Sequence, residues 1–523
     1  MNRTGAAAVF LWMLIFSGML YGQINGGEEK ETDNPSFDTI ATEDESEQGM
    51  SGIFQIIRTF DPDKLNEKWS YGLGIDSFFG SMVMMERTGE FSRSNPIPLL
   101  RKTLTGLSRN KKLRGTTLTV VFTFSRIGLR NPKIIEAYKE EYKESVRQKL
   151  RKTSSIMASI LWYAYDKDIQ TVLRRMANEE TDPEEREEYR HMFKRHSYAD
   201  IKVESMPIDA CRDIELLWAE YFIFKNMTAI ERIAETATEE SPDLRRVILS
   251  VEASSSLAQR GGWFEEVHAY CEARRAESEG KKREIWDDIL SRMKPLGDGT
   301  QRFACPVKRI ALNGIEGRAI ACEAMFPKKT GGQVDVLGAY YPDGGPIRLN
   351  GFSRRMLYQN KIYGGRFELL IKIHDLARKG DRAKFDKDVK QIIDLNEYQR
   401  KVFISSQPLL SEPKWRFICE YGPKLGDKSI LALDLSRICM LGRLGYEAQY
   451  LSPLEVYRIA IAAAVDLQEA FDSWEEYGEN FRIGRLYWHH NKVNSDDAIV
   501  AVEALLSEAD SPWKKYAWDM EMK

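Results

Sequence analysis

Cysteine and histidine are scarce in this chain, six of each among 523 residues. The cysteines (Cys211, Cys271, Cys305, Cys322, Cys419 and Cys439) are widely scattered, and none stands in a CxxC pair. That spacing speaks against a zinc ribbon or a thioredoxin-type redox motif, and reads most simply as small buried hydrophobes. His191 and His196 are five apart and splay on a helix, His489 and His490 are adjacent and diverge, and His268 and His374 stand alone. No metal and no cofactor is therefore expected. GxSxG, P-loop, HExxH and GxGxxG patterns are absent as well. The run "GLGIDSFFG", Gly72 to Gly80, has its glycines at the wrong intervals for a dinucleotide turn.

Charge of one sign is also lacking. With 76 Lys and Arg against 79 Asp and Glu, the formal net charge of −3 gives no overall pull toward nucleic acid or an anionic membrane. One stretch departs from this balance. Residues 91–133 carry ten Lys and Arg and no acid. They read as a solvated basic face, with contact to an acidic protein segment or an anionic surface as the functional alternatives. No nucleic-acid partner is expected.

Long apolar runs are missing everywhere except at the start. "MNRTGAAAVFLWMLIFSGMLYGQ" places Arg3 before an uninterrupted apolar core from Ala6 to Phe16, followed by small residues at Ser17, Gly18 and Gly22. This is the pattern of an export signal over residues 1–22. Cleavage is the expected outcome. The alternative is an uncleaved anchor, because Gly5 to Gly22 is about the lower length limit for spanning a bilayer. On either reading the protein is exported, to the periplasm, the cell surface or beyond. Residues 23–50 follow as an acidic tether, with nine acids and one lysine over 24–49 and too little apolar content for a core.

What the chain does have is helix chemistry. A length of 523 residues exceeds one core. The expected fold class is mainly α: an N-terminal helical bundle or helical-hairpin domain over 51–298, a small antiparallel β meander over 299–350, and a C-terminal helical domain over 351–523. In the first of these, Asp182-Pro183 with Glu185, Thr228 with Glu231, and Ser241-Pro242 are helix starts. In the second, "GRAIACEAMF" and "GQVDVLGAYYPDGGPIRLNG" look β-rich, punctuated by Asn313-Gly314 and Gly331-Gly332. Cys305 and Cys322 would lie on neighbouring strands there, and form the one disulfide worth testing. In the third, helical spacing breaks at Gly380, a further helix stops at Gly445, and Ser452-Pro453-Leu454-Glu455 is a strong helix start.

Near the C-terminus, "AFDSWEEYGENFRIGRLYW" sets Glu475 and Glu476 among aromatic residues. With Ser473 as N-cap, Glu476 can reach back to the Ser473 backbone N–H, and Glu475 sits where the helix dipole favours a carboxylate by roughly 0.3–1 kcal/mol. Trp474, Tyr477, Phe481 and Trp488 then form one stripe. Buried, each ring is worth roughly 4–6 kcal/mol before entropy. Gly478 and Gly484 would let a neighbouring helix come close. Asp434 and Arg437 lie three apart on an otherwise apolar helix, so at least one is expected to be semi-buried, and a charge there must be paired. Together with Arg443 and Arg485 they read as an ion-pair network. The alternatives are a small anion pocket built by the three arginines, or a carboxylate-based enzyme site.

The stretch Leu431 to Trp488 resembles the bacterial domain-of-unknown-function 1266 family. That family's pattern is a Trp-Asp-x-x-Arg helix, an Arg-Trp-Gly-Tyr turn leading to Gly-Tyr-Leu-Ser-x-x-Glu, and Ser-Trp-Glu-Glu ending in Gly-Arg-x-x-Trp. Asp434, Arg437, Arg443, Gly445, Tyr446, Tyr450, Leu451, Glu455, Ser473 to Glu476, Gly484, Arg485 and Trp488 occupy matching positions. Leu433 and Leu444 replace usual tryptophans, and Gln449 replaces the usual glycine. A fainter likeness runs back to about Glu368 through "LARKGDRAKFD". The resemblance implies helical structure and no particular activity. The helical hairpins and the lack of any catalytic constellation lead to the expected role, a non-enzymatic protein-interaction or scaffolding function in the bacterial envelope. The alternative is an undescribed hydrolase or small-anion-binding enzyme around Asp434, Arg437, Arg443, Glu475 and Arg485. Convergence of these groups on an open pocket would favour the enzyme, and closed pairs the scaffold.

Overall fold

Helix caps written into the sequence account for much of the architecture. The computed structural model describes residues 114–164 apart from Asn131 and Lys149, then 203–293, and then 307–522 apart from 331–332, 339–345, 363–364, 409–410 and 489–495, with a few isolated positions before 203. Of the described residues 77% are helical, so the protein is mainly α. The export segment, the acidic tether, Cys305 and the Asp182-Pro183 helix start lie outside the described residues, as does most of the basic stretch 91–133.

The chain divides into two units, residues 1–206 with 215–229, and residues 207–214 with 230–523. In the first unit α1 (Arg114–Arg130), α2 (Pro132–Arg147) and α3 (Arg151–Tyr163) pack together. Val120, Phe124, Tyr138, Met157 and Leu161 are buried, and Phe122 meets Tyr163 edge-on at 4.9 Å. The two basic residues of the 91–133 stretch whose contacts are seen are used internally. Arg126 pairs with Glu220 at 3.0 Å, and Arg130 donates to the Ile223 carbonyl at 3.1 Å.

Helix α4 (Cys211–Phe224) belongs to both units, and α5 (Met227–Ala237) begins at Asn226, whose side chain accepts from Thr228 N–H at 3.2 Å. The start expected at Thr228 is thus supplied by the asparagine two residues earlier. In the second unit α6 (Leu244–Arg260) starts at Asp243 rather than at Ser241, because the aspartate accepts from Arg245 N–H at 2.9 Å. Then come α7 (Glu265–Ala276) and α8 (Gly280–Arg292). Helices from 230 to 293 fall in the same unit as the C-terminal region, whereas their sequence had grouped them with the N-terminal helices.

The expected β meander is a correction. Among the described residues of 307–338 only β1 (Ile310–Ala311) and β2 (Val336–Leu337) pair, antiparallel, with Ile310 opposite Leu337. "GRAIACEAMF" is helical: α9 (Gly314–Ile320), a 3-10 turn over Ala321–Glu323, and α10 (Met325–Thr330). Asn313-Gly314 is a helix entry, not a hairpin turn, with Asn313 extended at the N-cap and Gly314 at φ +55°. Its alanines are strong helix formers and are buried. Cys322 sits in that turn as a buried free thiol and not on a strand as expected, while Cys305 lies outside the described residues.

The remaining helices are α11 (Pro346–Gln359), α12 (Arg366–Arg378), α13 (Arg382–Val389), α14 (Glu397–Ser405), α15 (Glu412–Leu425), α16 (Leu431–Glu447), α17 (Pro453–Ala470), α18 (Trp474–Trp488), α19 (Asp496–Ser507) and α20 (Pro512–Lys515). Buried from Ala432 to Glu447, α16 is the centre of the unit, and α11, α12, α17 and α18 pack around it. A helix apolar on most sides must be enclosed in this way. Gly445 does not stop α16. It lies within it, where an added Cβ would come 2.5 Å from Leu369, so this glycine permits close approach by α12. The left-handed residue after the helix is Gln449, at φ +66°. Ser452 and Glu455 do form the expected capping box, at 3.2 and 2.8 Å.

Candidate functional site

Asp434 lies in the first turn of α16, fully buried, and its carboxylate faces the turn between α12 and α13. It accepts from the backbone N–H of Asp381 at 2.8 Å and of Arg382 at 3.2 Å, which leaves it capping a helix other than its own. The Arg382 guanidinium donates to the same carboxylate at 3.1 Å, and to the carbonyls of Leu376 at 3.3 Å and Ala377 at 2.8 Å. One aspartate and one arginine thus satisfy the end of α12 and the start of α13 together. Burial pushes the Asp434 carboxyl up to about 6, against the lowering effect of these donors.

Arg437, one turn further along α16, pairs with Asp381 and donates to Asn360 at 3.4 Å. Its guanidinium lies 4.9 Å from the Trp488 ring. Burial, with the neighbouring Arg437 charge, holds the Lys372 ammonium below its ordinary value. Asp434 and Arg437 are therefore brought into one cluster, but by way of Gly380, Asp381 and Arg382 and not by pairing with each other.

Arg443 serves a separate site on α16. It is fully buried, donates to Glu323 at 2.5 Å and to the Val336 carbonyl at 2.8 Å, and also bonds the Gln333 carbonyl. Burial pushes Glu323 up to about 7, with the guanidinium opposing. Tyr446 adds a two-way bond to Lys308, accepting from its N–H at 2.7 Å and donating to its carbonyl at 2.9 Å. Both residues of the motif therefore fasten the 307–337 segment to α16. Arg485 is half-buried on α18, 6.0 Å from the Phe326 ring. Arg437 and Arg443 are held by different carboxylates, Asp381 and Glu323, at separate places along α16.

The two glutamates belong to a helix start. Ser473 accepts from Glu476 N–H at 3.2 Å. The Glu476 carboxylate reaches back to Asp472 N–H at 2.9 Å, one residue before the expected Ser473 N–H, and pairs with Lys428. These contacts hold its carboxyl below the usual range, the Lys428 hydrogen bond foremost. Glu475 is exposed. The aromatic stripe is buried at Trp474, Tyr477 and Phe481, but Trp488 is 46% exposed. Gly484 gives the anticipated close approach, since a Cβ there would come 2.8 Å from that of Leu433.

Sequence reasoning missed the other face of this stripe. Trp474 stacks on Trp513 at 4.9 Å, and the buried Arg318 guanidinium lies 4.1 Å from Trp474 and 4.8 Å from Trp518. Arg318 donates to the carbonyls of Ala517 at 3.1 Å and Trp518 at 3.0 Å. The available signal was the density of aromatic residues in "SPWKKYAWDMEM", which exceeds what an unpacked tail requires. The "GDR" turn at 380–382 was likewise legible only as a helix break.

Among the described residues no group of three His, Cys, Asp or Glu is placed to hold a metal ion, and no helix is long and apolar enough to cross a membrane. Neither the curated proteins nor the solved structures contain a match to the chain. Residues 364–518, which hold the α12–α13 turn, α16 and α18, match the family model described as Protein of unknown function (DUF1266), and the C-terminal region of the chain is thereby assigned to that family.

Proposed function

We propose that the protein is an exported, non-enzymatic interaction or scaffolding protein of the bacterial envelope. The observation that carries this reading is the closure of the candidate groups. Asp434 is enclosed by two backbone N–H groups and Arg382, Arg437 by Asp381, and Arg443 by Glu323 and two carbonyls. Groups so enclosed hold helices in register and leave little free to meet a substrate. The apolar run from Ala6 to Phe16 supports export.

A second reading, an enzyme that hydrolyses or binds small anions, draws on Asp434 being pushed up to about 6, near a working pH. Two measurements separate them. The purified full chain is screened against model esters, phosphoesters and peptides beside its Asp434→Asn variant. In parallel, in-cell cross-linking and fractionation follow a tagged copy. No turnover, with export and a reproducible cross-linked protein partner, is the expected result. Turnover by the parent chain that disappears in a folded Asp434→Asn protein would overturn it.

A further inference from the structure

The segment "KGDRAKFDKDVK", Lys379 to Lys390, alternates acids and bases in sequence, yet α13 and its flanks sort them by side. Every aspartate is used by a neighbouring element. Asp381 pairs with Arg437, Asp386 accepts from Ser429 at 2.5 Å, and Asp388 takes Lys414 at 2.5 Å and the Tyr487 hydroxyl at 2.9 Å. The lysines go the other way. Lys379, Lys384, Lys387 and Lys390 are all exposed, and among the described residues none of the four ammonium groups makes a hydrogen bond or ion pair. Three-residue steps keep Lys384 and Lys387 on one arc of α13, continued by Lys390 at its C-cap, with Phe385 buried on the other side.

Exposed apolar residues follow this arc in the chain. Ile393 follows Lys390 and is 45% exposed. Arg400 donates to the Ile392 and Ile393 carbonyls at 3.3 Å each, which folds α14 back onto the turn. No residue of α14 is buried. Tyr398 is 76% and Val402 51% exposed, one turn apart on the same face. The charges at this end nearly cancel, with Glu397 bonded to Lys401 at 2.7 Å and Asp394 exposed.

We propose that this surface, the lysine arc of α13 with the Tyr398–Val402 face of α14, docks an acidic segment of a partner protein that carries apolar side chains beside its carboxylates. It deepens the interaction reading above and rests on it. Charge complementarity selects the partner's sign, since Lys384, Lys387 and Lys390 follow one another at three-residue steps with no acid bound to their ammonium groups among the described residues. The exposed carboxylates of Asp394 and Glu397 beside Tyr398 in the chain disfavour a uniformly anionic bilayer more than a peptide that alternates carboxylates with apolar side chains.

The test uses the full chain and a fluorescein-labelled peptide alternating glutamate with leucine, followed by anisotropy at 50 and 300 mM NaCl. Vesicles of phosphatidylcholine with 30% phosphatidylserine provide the competing surface. Saturable peptide binding is expected, at least tenfold weaker in Lys384→Glu/Lys387→Glu/Lys390→Glu, severalfold weaker in Tyr398→Ala/Val402→Ala, and reduced by salt. All five side chains are exposed, and unchanged thermal melts confirm that the variants fold. Absence of binding, tighter binding to the vesicles, or an effect of charge reversal with none from the apolar pair would each overturn the proposal. A partner cross-linked in cells through another face, with no peptide binding, would remove this surface while leaving the interaction reading in place.

Discussion

Gly380 and Asp434 occupy one space. A Cβ on residue 380 would collide with the Asp434 carboxylate, and the backbone at 380 is left-handed, at φ +62°. The glycine ends α12, and its lack of a side chain lets the buried aspartate reach the first N–H groups of α13. Gly380→Ala is therefore expected to cost more than the about 1–2 kcal/mol of a left-handed alanine, because the carboxylate must also move off its donors. Urea denaturation monitored by circular dichroism measures the loss. A change below about 0.5 kcal/mol would show that the turn has room to adjust.

The Arg443–Glu323 pair allows a cleaner separation of charge from packing. Arg443→Met leaves Glu323 buried beside an apolar side chain and is expected to destabilise by about 3–5 kcal/mol. Adding Glu323→Leu removes the stranded carboxylate and should restore much of that loss. A double-mutant cycle on the four proteins gives the coupling. Additive losses would mean that the two groups act independently.

Stability should depend on pH in a defined window. Burial raises Glu323 from 4.5 to about 7 and Asp434 from 3.8 to about 6. A carboxyl raised in the folded state binds its proton more tightly there than in the unfolded chain. Its contribution is complete below the unfolded value and is lost as pH rises through the folded one. The melting temperature is thus expected to fall between about pH 4.5 and 7, and Glu323→Gln should flatten the upper part of that slope. Glu476, held low by Lys428, works in the opposite direction and only at more acid pH. A melting temperature that climbs from pH 5 to 7 would contradict the assignment.

Gln449 holds the left-handed position that follows α16, at φ +66°. Gln449→Gly is expected to stabilise the protein by about 1 kcal/mol, since glycine adopts this conformation without steric cost. Differential scanning calorimetry detects such a gain. A loss would show that contacts of the glutamine side chain outweigh the backbone term.

Much of this was legible in the chain itself. The mainly α class, the capping box at Ser452, the helix end at Gly380 and the cap formed by Ser473 with Glu476 depend on interactions between residues a few positions apart. Local chemistry is enough to specify them. The same locality explains the failures. Asn313-Gly314 suits either a hairpin or a helix entry, and only packing of the small buried alanines decided for the helix. Trp488 has the right spacing for the buried stripe, but its surroundings leave it half in solvent, stacked near Arg437.

The sequence by itself determined that any charge buried on the apolar helix of Asp434 and Arg437 had to find a partner, because a charged group there cannot be buried alone. Only the tertiary structure decided which partners: backbone N–H groups 53 and 52 positions away for Asp434, and Glu323 120 positions away for Arg443. It also decided that the aspartates of α13 turn inward while its lysines face solvent. Choices of that kind are made by long-range packing, which satisfies each buried charge with whatever donor the fold brings within reach, and no short stretch of sequence contains that information.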